Sequence, residues 1–272
     1  WNGSPPRPRP RSNAAGIEDD VPSLGSHMAR ARVVAARLGL PEIDADRGAY
    51  YLGSTAPDIR VITRMDRRVT HFFELDDLAD QDSVARMFEA HPGLATPAGL
   101  DAAVTSFVAG YLTHLVLDET FIAEVYRPHF GAFSSRNDDP RSNVLDRALQ
   151  YELDRRDRED RAAMDEIRGA LAATTAPRAI PFIADEHLVE WTTVSEDIAT
   201  HPPDFGRFRR MMTRHLQQAG YGLDDIDRYC DEPAVLVAEA FQIVDEERIE
   251  RFWHDAERSE ERRVGKECRS RW

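Results

Sequence analysis

Apolar residues along this chain recur mostly at helical spacing. Residues 26–38 put Ala29, Val33, Val34, Ala36 and Leu38 on repeating positions and stop at Gly39. A second helix is expected over 44–52, closed by Gly53, and a short one over 82–90 before His91-Pro92-Gly93. Residues 98–125 form the longest apolar stretch and predict a central helix. Residues 143–156 and 160–173 read as a charged helical pair, and 181–199, 205–219, 223–230 and 232–256 as further helices. Residues 57–69 and 128–140 read as loops. No alternating pattern is long enough for a strand, and no internal repeat is present. The pattern predicts an all-α fold, a single multi-helix domain of the kind that houses metal centres between facing helices.

The central helix carries His114 and Asp118 among Val108, Leu112, Leu115, Val116 and Leu117. Four residues apart, the two side chains share one helical face. A buried carboxylate and imidazole need a partner, because an unpaired buried charge is costly. A metal ion suits both at once. The plainer alternative is a histidine hydrogen-bonded to its neighbouring carboxylate.

Three further candidates lie upstream. Asp58 follows Pro57 where the helix ending at Gly53 turns; it could simply cap that turn. His71 sits beside Phe72 and Phe73 and could be the edge of an aromatic cluster. His27 opens the first helix within Gly25-Ser26-His27-Met28, which is also a familiar tag remnant.

Taken together, a histidine in the first helix, a Pro-Asp after a Gly-containing helix end, a Thr-His, and Gly110-Tyr-x-x-His114-x-x-x-Asp118 resemble the zinc-dependent phospholipase C family. That family is related to the all-helical zinc single-strand nucleases. The resemblance spans roughly residues 21–155 and implies His27, Asp58, His71, His114 and Asp118 as metal ligands. Asp58 would also orient the attacking water. One element departs from the family: the later His-x-x-x-Glu helix corresponds to residues 143–154, which hold Asp146, Gln150, Glu152 and Asp154 but no histidine. One or two zinc ions are therefore expected rather than three.

The other histidines carry less. His91 and His201 stand before prolines at helix ends, where a cation suits the carbonyl dipole. His129 does not match the spacing of the family's next ligand, and His187, His215 and His254 have no carboxylate constellation. Arg60, Arg64, Arg67 and Arg68 offer forked donors suited to phosphate, but a solvated loop is the expected reading.

The ends are set aside from the fold. Residues 1–20 are Pro-rich and read as a disordered or spurious leader, with Val21 as the expected start. Residues 258–272 resemble translated sequencing-adapter read-through and are expected to be disordered, or at most a frayed extension of the helix ending near Ala256. The domain is thus placed at 21–257.

The chain carries 35 Lys and Arg against 49 Asp and Glu, a net charge of −14. Such a surface repels phosphate backbones, so no nucleic-acid partner is expected. Cys230 and Cys268 allow no thiolate zinc site. No apolar run is long enough for a transmembrane segment and no signal peptide is visible, so a cytoplasmic location is expected. The expected function is a zinc-dependent phosphodiester hydrolase acting on a phospholipid-type or smaller diester. A helical domain with a structural metal, and a nuclease or other phosphoesterase, are the alternatives.

Overall fold

In chain order the helices are α1 (Leu24–Leu38), α2 (Pro41–Asp44), α3 (Arg47–Gly53), α4 (Arg60–Thr63), α5 (Arg67–His71), α6 (Ser83–Ala90), α7 (Ala102–Phe121), α8 (Arg127–His129), α9 (Ser142–Glu159), α10 (Arg161–Ala173) and α11 (Asp185–Thr200). Helices Leu223–Asp231, Pro233–Ile243 and Glu246–Arg271 follow. They come from a computed structural model that describes residues 24–96, 100–139, 141–201, 209, 212–213, 216–217 and 220–271. Among these residues there is no strand, and the chain is an all-helical single domain as the periodicity predicts. Residues 1–20, Val21, His215, Trp272 and most of the helix expected over 205–219 lie outside the described residues.

α7 is the centre of the fold because it has no polar face. Every residue from 106 to 118 is buried, and a helix apolar all round belongs in a core. Its start falls at Ala102 because the Asp101 carboxylate accepts the Val104 amide at 2.7 Å, an N-cap bond. α1, α2, α3, α6 and the helix Glu246–Arg271 pack around it.

The closest of these contacts is with α3. A Cβ added at Gly110 would lie 1.9 Å from the Tyr50 carbonyl oxygen, and one at Gly53 would lie 2.0 Å from that of Phe107. The two backbones touch, and only glycine fits at either point. The core has two parts. One gathers α1, α3, α10, α11, α7 as far as Val116, and Val264 and Cys268 of the last helix; the other gathers the end of α7, α9 and apolar residues between Met212 and Ala256.

Several boundaries differ from expectation. The helix expected over 44–52 is two helices, since Asp46 caps α3 by accepting the Ala49 amide at 2.8 Å. The helix expected over 232–256 divides at Asp245, whose carboxylate accepts the Arg248 amide at 2.9 Å. The loop expected over 57–69 holds a 3-10 turn, Ala56–Ile59, then α4 and the start of α5.

The disorder expected for residues 258–271 is also corrected. They continue the last helix to Arg271, with Val264 and Cys268 fully buried. The few apolar side chains suffice because they share one stripe with Gly265, which rests on Leu38. Arg37 pairs with Glu257 at 2.7 Å and Glu261 at 2.8 Å, and Arg263 with Glu119 at 3.0 Å.

Candidate metal centre

The five residues singled out in the sequence converge. His27 comes from the first turn of α1, Asp58 from the 3-10 turn, His71 from the last position of α5, and His114 and Asp118 from α7. His71 Nε2 lies 3.4 Å from His114 Nε2, 3.3 Å from Asp118 Oδ2 and 3.3 Å from Asp58 Oδ1. His114 Nε2 lies 3.4 Å from Asp118 Oδ2, and His27 Nε2 3.3 Å from Asp118 Oδ1. The His27 and His114 rings stack with centroids 3.7 Å apart. Two sets of three, His71 with His114 and Asp118, and His27 with Asp58 and His114, could each hold a metal ion.

Local structure aims each donor. The Gly53–Gly110 contact brings the Ser54 carbonyl to His114 Nδ1 at 2.9 Å. A carbonyl only accepts, so Nδ1 carries the proton and Nε2 presents its lone pair to the centre. His71 Nδ1 is 3.0 Å from the Thr70 hydroxyl, and the Tyr111 hydroxyl donates to the Thr70 carbonyl. α5 stops directly after His71 because Phe72 adopts a left-handed backbone, φ 54°, with its ring packed on Phe182. His27 is seated from α9: Asp154 Oδ1 accepts the Ser26 amide at 3.1 Å, and Gly25 leaves room for the Asp154 and Arg158 side chains.

Burial sets the electrostatics. His27, His71, His114 and Asp118 are buried, while the Asp58 side chain keeps 16% of its exposure. Burial, then the nearby His114, holds His27 below its ordinary pKa; burial, then the Arg67 charge, does the same for His71. His114 moves the other way, because Asp118 outweighs burial. Burial opposes ionisation of Asp58, yet the His71 hydrogen bond and the charges of His114 and His71 bring it to about 2. Asp118 is likewise held well below the usual range against burial, by His114 and then His27 and His71.

Among the described residues, the remaining histidines stay outside the two donor sets. His91 caps α6 but packs against Phe182 at 4.5 Å, and its burial lowers its pKa, so aromatic packing rather than a helix-end charge explains it. His201 pairs with Asp197 at 3.1 Å on the surface, and His129 lies beside Arg248.

Sequence reading placed one contributor wrongly. Arg67 is buried, not part of a solvated loop, and donates from Nη2 to Asp118 Oδ2 at 3.0 Å. Its signal was spacing: Arg67 and His71 stand four apart, as do His114 and Asp118, so the two pairs face each other across the centre. Asp154, left without a role in the sequence, is the residue that anchors α1. No family model, curated protein or solved structure matches this chain.

Proposed function

We propose that the chain is a zinc-dependent phosphoric-ester hydrolase acting on a phosphodiester. The observation that carries this reading is the spacing of the donor atoms. Ligands at about 2.0–2.1 Å from a tetrahedral zinc stand about 3.3–3.4 Å from one another. His71 Nε2, His114 Nε2 and Asp118 Oδ2 have that spacing, 3.3–3.4 Å, across all three of their separations, and Asp58 Oδ1 lies 3.3 Å from His71 Nε2. Two neutral imidazoles and two ionised carboxylates are also a donor set that zinc accepts. The order of these residues, and their resemblance to the zinc-dependent phospholipase C family, add support.

His71, His114 and Asp118 would hold the first ion, with Asp58 beside them at His71. His27 Nε2 with Asp118 Oδ1 offers the start of a second position. When bound, zinc lowers the pKa of a water to about 7 and polarises a phosphoryl oxygen. The protein's part is positioning. Asp58, held near pKa 2, stays ionised and serves as ligand and water-orienting acceptor rather than as a strong base. It is also the donor in contact with solvent, so the reacting ester would approach from its side.

The depth of burial favours a second reading, a closed structural site that holds an ion and does no chemistry. One experiment separates the two. Purified protein is assayed for zinc by elemental analysis, and for turnover of a panel of phosphodiesters and phosphomonoesters. Zinc with diester hydrolysis abolished in Asp58→Asn supports the hydrolase. Zinc with no turnover of any ester supports the structural site, and protein that takes up no zinc defeats both.

A further inference from the structure

Arg67 lies at the centre with more hydrogen-bonding capacity than the protein uses. Its exposure is 7%, and only Nη2 has a partner, Asp118 Oδ2 at 3.0 Å. Nε and Nη1 are buried without a hydrogen-bond partner. Leaving charged donors buried and unmet is costly, and among the described residues Arg67 alone leaves two guanidinium nitrogens so, where Arg158 leaves only Nε. Arg127 turns Nη2 to the Leu75 and Asp77 carbonyls, and Arg158 turns Nη2 to those of Ile198 and His201.

The position of Arg67 says what those donors would meet. Its guanidinium is fixed by one corner to the carboxylate oxygen that also faces His71 and His114. Whatever reaches the donor cluster therefore reaches the rest of the fork. Charge narrows the choice. Asp58 and Asp118 together balance one divalent ion, and the histidines are neutral donors. Arg67 then leaves the loaded centre with one surplus positive charge, inside a chain whose net charge is −14. A monoanion with more than one acceptor oxygen answers both the charge and the fork, which is the character of a phosphodiester.

We propose that Arg67 is the anion-recognition residue of this centre, donating from Nη1 to a phosphodiester oxygen while Nη2 stays on Asp118. This rests on the hydrolase reading above and names the side chain that selects its substrate class. The rival role is a counter-ion that only neutralises Asp118.

The test compares wild type, Arg67→Met and Arg67→Lys as full-length chains, with zinc content measured in each. Binding of dimethyl phosphate is followed by shifts of the histidine ring protons, with neutral trimethyl phosphate as control. Arg67→Met is expected to keep its zinc and bind dimethyl phosphate roughly tenfold or more weakly, since a charge-assisted bond is lost. Arg67→Lys, which keeps the charge without the fork, is expected to fall between. Repeating the titration with phosphatidylcholine vesicles separates a lipid headgroup from a free diester, and dependence on Arg67 in either supports the assignment. Unchanged diester affinity in Arg67→Met overturns it while leaving the metal centre standing. Loss of zinc from Arg67→Met also overturns it, in favour of the counter-ion role. If wild type binds no zinc, the hydrolase reading fails. The metal-free titration then decides for Arg67 by the same comparison.

Discussion

Two buried pairs with i,i+4 spacing invite comparison. On α9, Asp154 faces Arg158; on α7, His114 faces Asp118. In the first pair both carboxylate oxygens are hydrogen-bonded, one to the Ser26 amide and one to Arg158, whose other arm reaches backbone carbonyls at the end of α11. Opposite charges and backbone groups close this network except at Arg158 Nε. In the second, lone pairs crowd together: His71 and His114 Nε2 lie against each other and Asp118, while both His27 nitrogens and Asp118 Oδ1 make no hydrogen bond among the described residues. The first arrangement fastens three helices. The second is stable only with something cationic among its lone pairs, and Arg67 meets just one edge of that need. Buried polarity alone thus says little about function; whether the donors and acceptors match says more.

Substitutions should separate the two pairs. The largest effect is expected from Gly110→Ala, which puts a Cβ 1.9 Å from the Tyr50 carbonyl oxygen and separates α3 from α7. Stability should fall by about 3 kcal/mol or more in urea titrations, and zinc uptake should go with it. Next comes Asp154→Ala, which strands the buried Arg158 charge and should cost about 3 kcal/mol whether or not zinc is present. A loss seen only with zinc would mean that the α9 pair belongs to the metal centre.

His114→Ala should behave in the opposite way. Without metal its melting temperature should lie near that of wild type, with helix content intact. The zinc-dependent gain, about 2.7 kcal/mol at a hundredfold excess over Kd, should vanish. Full zinc stoichiometry in the variant would count against His114 as a ligand. A smaller loss, about 1–2 kcal/mol, is expected for Val264→Ala if the last helix packs as described. An unchanged melting temperature would return residues 258–271 to the disordered state first expected of them.

The gentlest probe is pH, with metal chelated. His27 and His71 have folded pKa values below their ordinary 6.5, so the unfolded chain binds protons more readily. Their contribution is complete above about pH 6.5 and is lost as pH falls toward the folded values. Asp58 and Asp118 carry the same sign, acting as pH drops below the ordinary 3.8. His114, raised, contributes below 6.5 and loses its contribution as pH rises, offsetting part of the trend. Thermal melts from pH 7.5 to 5 in chelator should therefore show falling stability, and a flat profile would contradict the burial of neutral imidazoles.

The donor residues were legible in the sequence because their spacing is local: His114 and Asp118 announce a shared face, and Pro57-Asp58 a turn. The fold class was legible because α7 is apolar all round. What escaped depends on contacts between distant segments. The spacing of Arg67 to His71 says only that the two share a face, since the partner that turns Arg67 inward is 51 residues away. Asp154 looked like any carboxylate on a charged helix, because its role is fixed by the backbone of Ser26. The tail deceived by composition, its apolar side chains being few but aligned.

The glycine crossing of α3 and α7 also bears on folding kinetics. The segments it joins lie some 60 residues apart in sequence, and His114 meets the Ser54 carbonyl only once they have docked. The donor cluster cannot preform in a local hairpin or a single helix, so an ion would bind after the slow, entropy-limited docking step. Zinc should then leave the refolding rate almost unchanged and slow unfolding instead. Such an ion would act as a latch on the native state, not as a seed for it.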